Sequence, residues 1–85
     1  MPTKTVTVGS SVGLHARPAA LIAEAAGDLD AEVTIGKPGE EPVDASSALL
    51  IMTIGAACGD PVEVSSDDPA ALAKVAALVE QDLDA

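Results

Sequence analysis

The sequence contains no phenylalanine, tryptophan or tyrosine, although nearly half of its 85 residues are hydrophobic. A hydrophobic core must therefore be built from alanine, valine, leucine and isoleucine. No apolar run reaches the roughly 18 residues that a transmembrane helix needs. The first residues, Met-Pro-Thr-Lys, lead into alternating valine and threonine, which predicts no export signal. We therefore expect a protein of the cytoplasm.

Basic residues are few, since four lysines and arginines stand against 14 aspartates and glutamates, giving a net charge of −10. Proteins that bind nucleic acid non-specifically need the opposite balance, and acidic membrane surfaces repel such a chain. We expect no nucleic-acid partner and no membrane partner. The acidity can serve solubility alone, or it can complement basic surfaces on protein partners and speed their encounter.

Cysteine occurs once, at position 58, so an internal disulfide is excluded and a reducing compartment is indicated. We expect Cys58 to be a buried or half-buried, unreactive thiol. One cysteine and two methionines provide no spaced set of metal ligands. No metal and no cofactor are predicted.

Hydrophobic periodicity predicts one domain over residues 1–85, with the order strand, helix, strand, strand, helix, strand, helix. The strands are expected at 5–8, 31–35, 41–44 and 61–65. The helices are expected at 19–26, at about 48–54 and from Pro69 onward. In the last helix, the residues expected to face the core are Leu72, Val75, Ala76, Val79 and Leu83. Gly27 is expected to end the first helix in a left-handed conformation. Pro42 places its strand at or near a sheet edge. The pattern favours an α/β (α+β) two-layer sandwich with a mainly antiparallel sheet and helices on one face.

The stretch 13–20, Gly-Leu-His-Ala-Arg-Pro-Ala-Ala, holds the only histidine and the only arginine. Pro18 suits the first turn of a helix, so His15 is expected at or just before a helix N-terminus. Free N–H groups and the helix dipole favour an anion there, and the N–H groups of Ala16 and Arg17 could contact phosphate oxygens. The Arg17 side chain would offset the phosphate charge. The alternative is that His15 is an ordinary residue at a helix start.

The second candidate feature is the short helix that begins at Ser46 or Ser47. Leu50, Ile51 and Ile54 fit one face of this helix, whereas Ala48, Leu49 and Met52 fall largely on another. A two-turn helix in a two-layer domain buries one side, so part of this apolar surface is expected to remain exposed for a partner. The alternative is that all these side chains lie in the core. A phosphate on Ser47 would meet the helix dipole favourably, although a serine at this position can also be a simple cap.

Together these two segments resemble the histidine-containing phosphocarrier (HPr) family of the bacterial phosphoenolpyruvate-dependent sugar phosphotransferase system. Residues 13–19 resemble the family's active-site signature, and residues 47–55 resemble its regulatory serine and short helix. The resemblance implies an open-faced β-sandwich in which a four-stranded antiparallel sheet carries three helices on one side. It identifies Ser47 rather than Ser46 as the regulatory position, from its distance to Gly55. Val12 departs from the family, because many relatives carry a hydroxyl or amide side chain there.

The resemblance also implies a function. His15 would accept a phosphoryl group on Nδ1 from phosphorylated enzyme I and pass it to the IIA domains of sugar permeases, with Arg17 beside it. Both partners would dock on one surface, formed by Ala20, Ala48, Leu49 and Met52. The protein would be a monomeric carrier and not an enzyme. A serine kinase and a transcriptional regulator are further partners that it implies.

Two other functions compete with the carrier hypothesis. In one, phosphorylation of His15 or Ser47 controls binding to a regulatory protein of carbon or nitrogen metabolism. In the other, the chain is a protein-binding domain without phosphate chemistry.

Overall fold

The computed structural model describes residues 2–11 and 13–81 and confirms the predicted order of elements. The elements are β1 (Thr3–Thr7), α1 (Ala16–Gly27), β2 (Val33–Gly36), β3 (Val43–Asp44), α2 (Ala48–Thr53), β4 (Pro61–Ser66) and α3 (Pro69–Glu80). Two side chains cap helices, the first of them at one of the two predicted serines. Ser47 caps α2, and Asp68 caps α3 just before Pro69.

The four strands form one antiparallel sheet in the order β1-β4-β2-β3. Alternate residues point to opposite faces of a strand, so the register aligns apolar side chains in rows across the sheet. Val6 lies opposite Val62, and Val64 lies opposite Ile35. All four are buried, whereas the threonines of β1 are exposed on the other face. The sheet is therefore covered on one face, as the alternating pattern predicted.

Strand β3 is the shortest element and lies at the edge of the sheet, as Pro42 predicted. Its two residues pair with Thr34 and Ile35 of β2, so β2 and β3 form an antiparallel hairpin. Proline has no N–H to donate to a ladder, which explains why pairing begins only at Val43.

Each helix contributes a fully buried aliphatic side chain to a single core: Ile22 from α1, Ile51 from α2 and Val75 from α3. In α3, the predicted inward face is confirmed for Val75, Ala76 and Val79, while Leu72 is half-buried and Leu83 lies outside the described residues. In the described part of the chain, no helix has both the length and the apolar character needed to cross a bilayer.

Two local predictions were wrong. Gly27 is the last residue of α1 and does not have a positive φ, because the helix closes through Asp28, whose N–H donates to the carbonyls of Glu24 and Ala25. Cys58 is exposed instead of buried. It sits in a turn in which the Asp60 N–H donates to the Ala57 carbonyl, and such turns lie at the surface.

Candidate functional site

His15 lies where predicted, immediately before α1. It is the N-cap residue, with extended backbone angles of φ −113° and ψ 172°, and its side chain makes no capping hydrogen bond. The imidazole is exposed. An N-cap side chain normally accepts a hydrogen bond from the first turn of its helix. The ring of His15 makes no such bond and is accessible to another molecule.

The first turn of α1 offers two backbone donors. The Ala19 N–H already donates to the carbonyl of His15 at 3.1 Å, and Pro18 has no N–H. The N–H groups of Ala16 and Arg17 have no acceptor among the residues that the structure describes. These two donors, at the positive end of the helix dipole, can bind an anion held by the imidazole.

The guanidinium of Arg17 is exposed, and no carboxylate within residues 2–11 and 13–81 pairs with it. Among those residues the ion pair that forms joins Lys37 Nζ to Asp60 Oδ2, at 3.8 Å. Arg17 is therefore available to a phosphate, whose oxygens match the planar guanidinium in two-point hydrogen bonding. An exposed imidazole, two available N–H groups and an available guanidinium are thus contributed by three consecutive residues.

The loop before His15 is seated tightly against the segment that follows α2. Gly13 has φ +73°, and a Cβ on it would lie 2.4 Å from the carbonyl oxygen of Ala56 and 2.9 Å from the Cα of Ala57. The next residue, Leu14, is buried and donates its N–H to the Ala56 carbonyl at 3.0 Å. Only glycine fits at position 13, for reasons of both backbone angle and space. Val12, the departure from the family pattern, lies outside the described residues.

The two serines before α2 have different environments. Ser47 is the N-cap, and its Oγ accepts a hydrogen bond from the Leu50 N–H at 3.3 Å. Ser46 instead binds Asp44, donating its hydroxyl to Oδ1 at 2.7 Å and its N–H to the same oxygen at 2.9 Å. The Ser46 hydroxyl, and then its N–H, hold the pKa of Asp44 below its ordinary value of 3.8. Ser47 is therefore the residue at the start of the helix, and Ser46 belongs to the preceding turn.

Three large hydrophobic side chains are exposed in the described chain: Leu21 by 37%, Leu49 by 70% and Leu50 by 39%. We call Ala20, Leu21, Leu49 and Leu50 the apolar patch. Leu21 lies one helical turn after Arg17, so both occupy one side of α1. Helices α1 and α2 pack against each other.

The expectation that α2 keeps exposed apolar surface is confirmed, but its division into faces was partly wrong. Leu50, which the spacing placed on the same face as Ile51, is exposed, because the six-residue helix buries only Ile51 completely. Of the predicted docking residues, Ala20 and Leu49 are exposed, whereas Ala48 and Met52 are half-buried and pack against the core. Leu21 was not predicted, although its spacing from Arg17 could have indicated it.

His15 occupies open surface. Clefts of about 310 and 270 Å³ lie elsewhere, one beside Lys37 and Asp60 and the other beside Glu32 and Asp44, and neither is lined by His15 or Arg17. The residues that the structure describes include no group of three acidic, histidine or cysteine side chains able to hold a metal ion. Small substrates are bound in concave sites, so an exposed histidine beside apolar surface favours a protein partner.

Comparison with protein families gives a match over residues 2–81 to the family described as "PTS HPr component phosphorylation site". Among similar proteins, phosphocarrier protein HPr of Streptomyces coelicolor is 39% identical over 87 residues, covering 99% of this chain and 94% of the relative. Phosphocarrier protein NPr of Shewanella violacea is 34% identical over 84 residues, covering 95% of this chain and 91% of the relative.

Solved structures show the same architecture. The crystal structure of HPr-C-His from Thermoanaerobacter tengcongensis superposes with a TM-score of 0.87 at 30% sequence identity, covering 100% of this chain and 98% of that one. The sandwich predicted from the sequence is therefore that of known phosphocarrier structures.

Proposed function

The chain belongs to the HPr family of phosphocarrier proteins of the phosphotransferase system, and we propose that His15 is the residue that carries its phosphoryl group. The observation that supports this assignment is the exposed imidazole at the start of α1. It is followed directly by two N–H groups and a guanidinium that have no acceptor among the described residues. Serine, threonine, aspartate and asparagine are the residues that cap a helix start well, whereas His15 makes no capping bond and its ring is left available for another role.

In the proposed step, a phosphorus–nitrogen bond forms at Nδ1 of His15 as the bond between phosphorus and the donor breaks. The lone pair of a neutral imidazole nitrogen is the nucleophile in this step. The N–H groups of Ala16 and Arg17 then contact the phosphoryl oxygens, and the guanidinium offsets their charge. The group stays exposed, so that the next protein can remove it.

The partners of the family are phosphotransfer proteins of this system in general. We propose enzyme I as the donor of the phosphoryl group and the IIA domains of sugar permeases as its acceptors. In this proposal the carrier is a monomer and the transfers take place in the cytoplasm. Donor and acceptor must reach the same histidine, so one docking surface has to serve both. The apolar patch, with the half-buried Ala48 and Met52, is the candidate surface, and a flexible methionine at its border suits more than one partner. The protein is then a stoichiometric carrier and not an enzyme.

Ser47 is the proposed regulatory site. Its hydroxyl is at the N-terminal end of α2, next to the exposed Leu49 and Leu50. A phosphate there would place about two negative charges beside apolar surface and would oppose docking. A serine kinase and a transcriptional regulator are the corresponding partners. The position of Ser47 beside exposed apolar side chains supports a phosphorylation-dependent regulatory role as the second candidate function.

Incubation with a cognate enzyme I and phosphoenolpyruvate tests the main proposal. We expect a phosphoprotein that is labile in acid and stable in base, and that is lost in His15→Ala. Lys74→Ala, on the exposed side of α3, is the matched control and should be labelled normally. Circular dichroism must show that both variants are folded. Failure of the unaltered protein to be labelled by its cognate enzyme I would contradict the proposal.

A further inference from the structure

The loop that carries His15 is hydrogen-bonded at both of its ends to one short segment, residues 56–60, of which residues 57–60 form a turn. At the start of the loop, the Val8 N–H donates to the Asp60 carbonyl at 3.0 Å. At its end, the Leu14 N–H donates to the carbonyl of Ala56, the residue just before the turn, at 3.0 Å. The position of His15, which directly follows Leu14, thus depends on a segment more than forty residues away in the sequence.

Asp60 closes this turn with both its main chain and its side chain. Its N–H donates to the Ala57 carbonyl at 3.0 Å, and its carboxylate oxygen Oδ2 accepts the Ala57 N–H at 3.0 Å. The same oxygen lies 3.8 Å from Lys37 Nζ. A charged acceptor makes a stronger hydrogen bond than a neutral one. Asp60 therefore contacts Val8 through its carbonyl and fixes Ala57 through its carboxylate.

We propose that Asp60 is a positioning residue for His15. Its carboxylate fixes the Ala57 N–H, which belongs to the same peptide unit as the Ala56 carbonyl, and that carbonyl receives the Leu14 N–H. This inference rests on the proposed carrier role of His15, and Asp60 itself does not touch the phosphoryl group.

The tight packing of Gly13 couples the position of the Ala56–Ala57 peptide to the position of the His15 loop. The Gly13 Cα lies against Ala56 and Ala57 without room for a methyl group, so a displacement of that segment is passed directly to the loop. A nucleophile displaced even slightly from its productive geometry reacts more slowly. Loss of the carboxylate should therefore affect the transfer step and leave docking unchanged.

Three variants separate the contacts that Asp60 makes. Asp60→Ala removes the hydrogen bond to Ala57 and the ion pair. Asp60→Asn keeps an oxygen that can accept the Ala57 N–H but removes the charge. Lys37→Met removes only the ion pair and is the matched control. If Asp60→Ala does not fold, Asp60→Glu replaces it, since the extra methylene displaces the carboxylate from Ala57.

Two measurements are made on each variant. Amide hydrogen exchange by NMR reports on Leu14, with the Val64 amide in the central sheet as the internal reference for global unfolding. Kinetics of phosphoryl transfer from enzyme I give kcat and KM separately. For Asp60→Ala we expect Leu14 exchange to rise about tenfold relative to Val64 and kcat to fall about three- to tenfold, with KM unchanged. In Asp60→Asn, the Leu14 exchange rate and kcat should lie close to those of the unaltered protein. In Lys37→Met, both quantities should equal those of the unaltered protein.

Unchanged Leu14 exchange in folded Asp60→Ala would overturn the proposal, as would an Asp60→Asn variant as impaired as Asp60→Ala. A rise in KM without a change in kcat would overturn it too, by assigning Asp60 to docking. If enzyme I fails to phosphorylate the unaltered protein, the carrier proposal fails by itself. The exchange data would still decide whether Asp60 positions the loop.

Discussion

Gly13→Ala is the change that tests most directly how the site is built. The glycine has φ +73°, and the added Cβ would lie 2.4 Å from the Ala56 oxygen, closer than real Cβ atoms come to non-bonded atoms of other residues. Alanine at this position must therefore either push the His15 loop away from residues 56–57 or change its own backbone angle. Both responses would stretch the Leu14–Ala56 hydrogen bond of 3.0 Å.

The magnitude follows from two costs and one offsetting gain. The left-handed conformation costs an alanine roughly 1–2 kcal/mol, and loss of the Leu14 hydrogen bond with a buried N–H left unpaired costs about 1–3 kcal/mol. Reduced freedom of the unfolded chain returns about 0.4–1 kcal/mol. We expect the free energy of unfolding to fall by about 2–4 kcal/mol, which for a domain of this size lowers Tm by about 10–25 °C.

Gly39→Ala is the control, because Gly39 has φ +83° but no atom lies within 4 Å of the place where an alanine methyl group would be. It should lose only about 1 kcal/mol, which is the net conformational cost without the steric one. Urea unfolding at constant m-value gives the free energies, and the labelling rate with enzyme I gives the effect on transfer. Gly13→Ala should also be labelled more slowly than Gly39→Ala under conditions where both are folded.

Equal losses of stability in the two glycine variants would refute the reasoning, since they would show that residues 56–57 do not press on the loop. Normal labelling of Gly13→Ala would refute its second half, namely that the seating of the loop determines where the imidazole lies.

Three further predictions concern the neighbouring residues. Arg17→Ala should slow transfer at least about tenfold while barely changing Tm, because the exposed guanidinium has no partner among the described residues; equal loss of stability and transfer would argue against a role in the site. Ser47→Asp should raise the KM for enzyme I by placing a charge beside the exposed Leu49, and an unchanged KM would count against that docking surface. Ser46→Ala should raise the pKa of Asp44 toward 3.8 in an NMR titration, because it removes the strongest hydrogen bond to that carboxylate. Since folding lowers this pKa, the stabilisation is present at neutral pH and is lost as pH falls below about 4, so the stabilities of Ser46→Ala and the unaltered protein should converge in acid.

Local sequence signals were sufficient to place His15 and to order the elements. Pro18 placed His15 at a helix start, alternating residues identified the strands, and Pro42 identified an edge. Each of these signals depends on chemistry within a few residues of the chain. The structure and the family match confirm the sandwich that they predicted.

The wrong predictions have a different origin. Gly27 tolerates both helical and left-handed angles, so its presence near a helix end does not decide where the helix closes. In α2, six residues provide too few turns for spacing to separate a buried face from an exposed one, which is why the spacing grouped the exposed Leu50 with the buried Ile51. The proposed role of Asp60 depends on the hydrogen bond between the Leu14 N–H and the Ala56 carbonyl, a long-range contact that no pattern around either residue records.

The N-cap of α1 has a consequence for the evolution of the chain. Serine, threonine, aspartate and asparagine are the residues that stabilise a helix start, by about 1 kcal/mol relative to a residue that makes no capping bond, and Ser47 and Asp68 do so for the other two helices. Selection for stability alone would therefore replace His15 by one of them. His15→Asp should unfold at a higher temperature than the unaltered protein while losing all labelling. Under the proposed carrier role, position 15 is a site where selection for thermal robustness and selection for chemistry act in opposite directions, and a design method that optimises stability alone would remove the function.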